Sequence, residues 1–114
     1  MNDDKQFPFQ RLDCYRVARE IAVRVHSARI RDAELRDQAT RAAKSAFLQL
    51  CEGLPNDGAG MRRKYFTEAN NSLHETVGAI DLAAAIGALS SEEANALLEL
   101  GVRLKRMLRR LLTG

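Results

Sequence analysis

The stretch Gln38–Gly53, QATRAAKSAFLQLCEG, decides the fold. From Leu35 onward, Leu35, Ala39, Ala42, Ala46 and Gln49 recur at steps of four, three, four and three. That stepping is one seam of a helix packed against other helices. Alanines on the seam let neighbouring backbones come close. The opposite side opens polar, with Arg36, Asp37, Thr40 and Lys44, then turns apolar at Phe47, Leu48 and Cys51. A helix apolar on two sides is covered on two sides. One cover is the domain's own core; the other is a second molecule, a loop or a ligand. Gly53 reads as a C-terminal cap and Pro55 as a stop.

The same stepping recurs on either side. A first helix is expected from about Leu12 to Ile30, with Cys14, Ala18, Ile21, Val25 and Ala28 on its seam. Arg16, Arg19, Val23 and His26 fall on its far side. Asp32 is placed to cap the helix that follows. Residues 54–60, LPNDGAG, form the clearest loop in the chain. A third helix is expected from about Met61 to Ala88, its seam running through Phe66, Ala69, Leu73, Val77 or Thr76, Ile80 and Ala84. Off that seam Ala79, Leu82 and Ile86 form a second apolar patch. Ser90-Ser91-Glu92-Glu93 reads as a capping box, with Ser90 as N-cap and Glu93 reaching back. A fourth helix follows to Leu112 through Leu97, Leu100 or Gly101, Leu104, Leu108 and Leu111. No stretch alternates with the period of a strand. The reading is all-α, an antiparallel up-and-down four-helix bundle. It forms one domain over residues 9–114, behind a flexible lead-in at residues 1–8.

The central stretch resembles the signature of the bacterial four-helix-bundle family named for the 23S rRNA intervening-sequence protein. That signature is an Arg-Ala-Ala-x-Ser-Ile run closing in Asn-Ile-Ala-Glu-Gly. Arg41, Ala42, Ala43, Ser45, Glu52 and Gly53 match it, while Ala46, Gln49 and Cys51 stand where Ile, Asn and Ala are usual. Phe9, Leu12, Tyr15, Ala18 and Ile21 resemble the family's opening pattern. Phe66, Ala69, Ser72, Leu73 and Glu75 resemble its third helix. The resemblance spans residues 9 to 112. It extends to the accessory proteins of diversity-generating retroelements. It implies a homo-oligomer, with a ring of five as the expected form, and a reverse transcriptase and nucleic acid as candidate partners.

At 114 residues, with 46% hydrophobic and 29% charged side chains, the chain is one globular domain. Its net charge of +3 suits a phosphate-bearing partner without demanding one. Met1–Gln10 carries no apolar core of a signal peptide, and Val77–Leu89, broken by Asp81, is too short to span a bilayer. A cytoplasmic chain with reduced thiols and no membrane partner is expected.

Catalytic motifs fail one by one. Position 78 is Gly, so His74-Glu75 does not open an H-E-x-x-H site. No Glu-x-x-His pair exists for a di-iron bundle. Gly58 and Gly60 lack the Lys-Ser/Thr of a phosphate loop. Cys14 and Cys51 have no metal-ligand spacing; Cys14 reads as a small buried hydrophobe, and Cys51 lies on the outer patch near Lys44. His26 reads as a solvated surface side chain and His74 as a partner in an interhelical hydrogen bond. The expectation is therefore no enzyme, no cofactor and no metal.

The cations carry more information. Arg103, Lys105, Arg106, Arg109 and Arg110 follow Gly101 with no acid among them. Cations near a helix C-terminus suit its dipole, which is the plainer account of that run. The account fails for Arg62, Arg63 and Lys64, which stand near a helix start. An up-and-down bundle brings both clusters to one end, as a candidate surface for RNA or DNA. Phe47, Leu48 and Cys51, with Ala79, Leu82 and Ile86, are the candidate contacts between copies. Two functional readings result. One is a non-enzymatic homo-oligomer that binds RNA or DNA through these cations. The other is a protein-interaction adaptor that works through the apolar patches, with no nucleic-acid role.

Overall fold

The computed structural model describes residues 7–8 and 12–113. The lead-in expected over residues 1–8, apart from Phe7 and Pro8, lies outside them, as does Phe9. The chain forms α1 (Asp13–Ser27), α2 (Ala33–Gly53), α3 (Ala59–Ala85) and α4 (Ser91–Thr113). Each helix packs on its neighbours in the chain, and α1 closes on α4 around a single core. The shortest dimension, 20 Å, is two helices deep.

Named contacts fix the alternating directions. Tyr15 near the start of α1 meets Phe47 late in α2, with ring centroids 5.4 Å apart. The Ser45 and Ser72 hydroxyls, mid-way along α2 and α3, lie 2.9 Å apart. Arg63 at the start of α3 donates to the Leu112 carbonyl at the end of α4, at 3.2 Å. The starts of α1 and α3 therefore share one end of the bundle with the finishes of α2 and α4.

α1 stops at Ser27, three residues before the expected Ile30. The chain turns extended at Ala28, and Ile30, only 2% exposed, plugs the far end of the core. The Arg31 backbone N–H then donates to the Ala88 carbonyl at 2.8 Å, tying this link to the end of α3. Burying Ile30 across the bundle end gains what another helical turn would have left in water. α2 starts as read: the Asp32 carboxylate accepts from the Leu35 N–H at 2.9 Å. Asp32→Ala is expected to cost about 1 kcal/mol, the usual worth of an N-cap, in a urea melt.

α3 ends at Ala85 in a glycine cap that the sequence reading missed. Gly87 sits at φ 78°, its N–H donates to Ala84 and the Ala88 N–H reaches back to Ala83 at 2.8 Å. This is a Schellman closure, which calls for a residue free of a Cβ. Gly53 is the reverse case. The sequence suggests a cap there, yet among the described residues Gly87 alone has positive φ. A Cβ on Gly53 would lie 2.7 Å from Phe66 Cε1 and 3.0 Å from Tyr65 Cβ. Gly53 is there so that α3 can approach.

The apolar patches need correction. Ala79 faces inward and is 6% exposed, because α3 presents it to the core. Phe47 and Cys51 are half-buried, Phe47 under the Tyr15 ring. The surface left open is Leu48 on α2, Leu82 on α3 and Ile86 at the α3 C-cap, each more than half exposed.

Candidate nucleic-acid interface

The end of the bundle where α3 begins carries Arg62, Arg63, Lys64, Arg109 and Arg110, with Arg103, Lys105 and Arg106 further back along α4, and these cations divide into two kinds. Arg62 is structural. Its guanidinium Nη1 donates to the carbonyls of Leu54 at 2.7 Å, Asn56 at 3.2 Å and Gly53 at 3.4 Å. These carbonyls close α2 and open the loop, where helix acceptors otherwise go unpaired. The same guanidinium lies over the Phe66 ring, 5.0 Å from its centroid. Arg62, half-buried, therefore clamps the α2–α3 turn through its Nη1. Nothing local in the sequence marks this; its partners stand six to nine residues away.

The other cations are open. Arg63 reaches the Leu112 carbonyl, which joins the start of α3 to the end of α4. Lys64 lies beside Tyr65, 6.0 Å from its ring centroid. Arg103, Lys105, Arg106, Arg109 and Arg110 are all exposed on the outward side of α4. At 100° per residue they span the arc opposite Leu104 and Leu108. Among the described residues the ion pairs are Arg16–Asp13 and Arg24–Glu20, both within α1. The cations of α3 and α4 hold no carboxylate there. Acids do stand nearby: the Glu52 charge and its hydrogen bond push the Tyr65 phenol up.

The remaining candidates resolve simply. His26 is exposed. His74 Nδ1 is 2.7 Å from the Asn70 carbonyl, a bond within α3 and not between helices as expected. Cys14 is buried, and burial pushes its thiol up. Cys51 is half-buried and is raised by burial, by Cys14 and by Glu52, so its thiolate is scarce. Among the described residues no cluster of His, Cys, Asp and Glu could hold a metal ion, and no helix is long and apolar enough to cross a membrane.

A model of the family described as 23S rRNA-intervening sequence protein matches residues 10–110. The chain belongs to that family. No curated protein matches it. In this member of the 23S rRNA-intervening sequence protein family, the signature residues are mostly packing devices. Ala42 and Ala43 are buried in α2, Ser45 bonds Ser72 on α3, and Gly53 admits Phe66. Arg41 alone of the matched side chains before Glu52 stands fully outside.

Proposed function

We propose that this chain is a non-enzymatic, homo-oligomeric helical bundle that binds RNA or DNA, with a reverse transcriptase as a candidate protein partner. One observation supports this most: Arg63, Lys64, Arg103, Lys105, Arg106, Arg109 and Arg110 stand exposed on two helices tied together at one end, with no carboxylate paired to them among the described residues. Arg62 is set apart from these because its Nη1 is committed to the loop carbonyls and its guanidinium lies over Phe66. A net charge of +3 is small for one copy. Association through Leu48, Leu82 and Ile86 multiplies it and presents many cations to one polyanion.

The test is a salt titration. Binding of labelled oligo-dT and of an RNA of equal length is followed by anisotropy from about 50 to about 200 mM salt. Seven contacts predict a fall of about a thousandfold or more across that range. Weak or salt-insensitive binding goes against the reading.

The exposure of Leu82 and Ile86 favours a second reading, the adaptor whose apolar surface engages another protein. Its binding varies little with salt and is lost in Leu82→Asp, a substitution that leaves monomeric nucleic-acid contacts in place.

A further inference from the structure

The groove between α3 and α4 holds a feature that neither reading uses. A cleft of about 200 Å³ is floored by Leu73, Val77, Leu98 and Val102 and flanked by His74 and Lys105. At Gly101, one of its lining residues, the helices come close: a Cβ there would lie 3.0 Å from Val77 Cγ2. Val102 stands beside this point, 49% exposed, although it is a large apolar side chain.

Size and chemistry narrow the occupant. Small-molecule and cofactor sites run from about 300 to 1,000 Å³, so this cleft suits a few apolar side chains instead. Its floor is aliphatic and includes no Phe, Tyr or Trp on which a base would stack. The charged group on its rim is Lys105, with no acid lining it. Arg109 lies one turn further along the same face of α4, exposed like Lys105. The His74 ring is held by the Asn70 carbonyl. An apolar floor beside unpaired cations is complementary to apolar side chains beside carboxylates.

We propose that the α3–α4 cleft docks an acidic amphipathic helix of a protein partner, its apolar side chains on Val77, Leu98 and Val102 and its carboxylates facing Lys105 and Arg109. This is helix-in-groove recognition, read through anchors at i, i+3 or i+4, and i+7. It shares Lys105 and Arg109 with the nucleic-acid reading but differs from it in resting on an apolar floor that neither Arg63 nor Lys64 lines.

The experiment selects displayed peptides of about 16 residues, roughly four helical turns, on the full chain. Selected peptides are then measured by anisotropy against the parent, Val102→Asp and Lys105→Glu. Both side chains are exposed, and thermal melts by circular dichroism check that each variant folds. The expected peptides pair apolar anchors with Asp or Glu. Each variant is expected to weaken them about tenfold or more, while Arg63→Glu with Lys64→Glu leaves them bound. Selection that yields no such peptides overturns the proposal. So does undiminished binding to Val102→Asp. Oligo-dT that displaces the peptides and itself depends on Val102 assigns the cleft to nucleic acid instead.

Discussion

Gly53→Ala is expected to destabilise the bundle by about 1 to 3 kcal/mol, the range for overfilling a packed site. The substitution would ordinarily help a helix, since Ala exceeds Gly by about 1 kcal/mol in helix propensity. Here the new methyl would meet Phe66 Cε1 at 2.7 Å and Cδ1 at 2.9 Å. That ring cannot step aside. It is 1% exposed, and the Arg62 guanidinium lies over it at 5.0 Å. Tyr65 Cβ, attached directly to the α3 backbone, blocks the third direction at 3.0 Å. Relief requires α3 to retreat from α2, which would also stretch the bonds from Arg62 to the loop carbonyls. Gly78→Ala is the control. It is also helical, but a Cβ there meets nothing within 4 Å, so about 1 kcal/mol of stabilisation is expected. Urea melts of the two variants should move in opposite directions. Equal shifts would mean that close approach at Gly53 does not matter.

That contrast shows what could be read from the sequence. The periodicity of Ala39, Ala42 and Ala46, and of Leu97, Leu104 and Leu108, gave four helices and their inward faces, because periodicity is a one-dimensional record of burial. Asp32 and Ser90 were legible as caps for a similar reason: the donor each serves lies three residues on. Gly53 reads as a cap in the sequence and Gly87 carries no assignment there, although Gly87 is the glycine at positive φ. A glycine needed for positive φ and one needed for a neighbour's approach look the same in sequence. Only the partner, Phe66 in one case and the turn of the chain in the other, separates them.

The candidate site was legible in position but not in role. The alternating directions of four helices bring the start of α3 to the end of α4, and Arg63 meets Leu112 there. Arg62, the neighbour of Arg63, turns the other way, onto backbone carbonyls that only folding assembles. Ala79 looked peripheral because it lies off the Phe66–Ile80 seam. The α2–α3 pair buries a wider face than one seam, since alanines and Gly53 let the helices sit close, and Ala79 falls within it. The α3–α4 cleft left no sequence signal, because its lining comes from two helices that only folding brings together.

Replacing Arg63, Lys64, Arg109 and Arg110 together by Glu, with Arg62 kept, is expected to abolish nucleic-acid binding while the bundle stays folded. Each cation that neutralises a phosphate contributes about 0.7 to 0.9 to the slope of log affinity against log salt. Four lost contacts flatten that slope by about 3 to 3.6, and four new anions add repulsion. The expected loss near physiological salt is about a thousandfold or more. The fold tolerates the change because all four side chains are exposed. The costs are the exposed bond from Arg63 to Leu112 and the unfavourable dipole of two acids at the end of α4, up to about 1 kcal/mol each. Arg62→Ala should behave in the opposite way. It strips donors from the Gly53, Leu54 and Asn56 carbonyls and lowers stability by about 2 kcal/mol, yet the salt slope of whatever remains folded stays where it was. Two neighbouring arginines would thus separate into one that binds outward and one that holds the turn. A quadruple variant that binds like the parent would remove the cationic end from the function altogether.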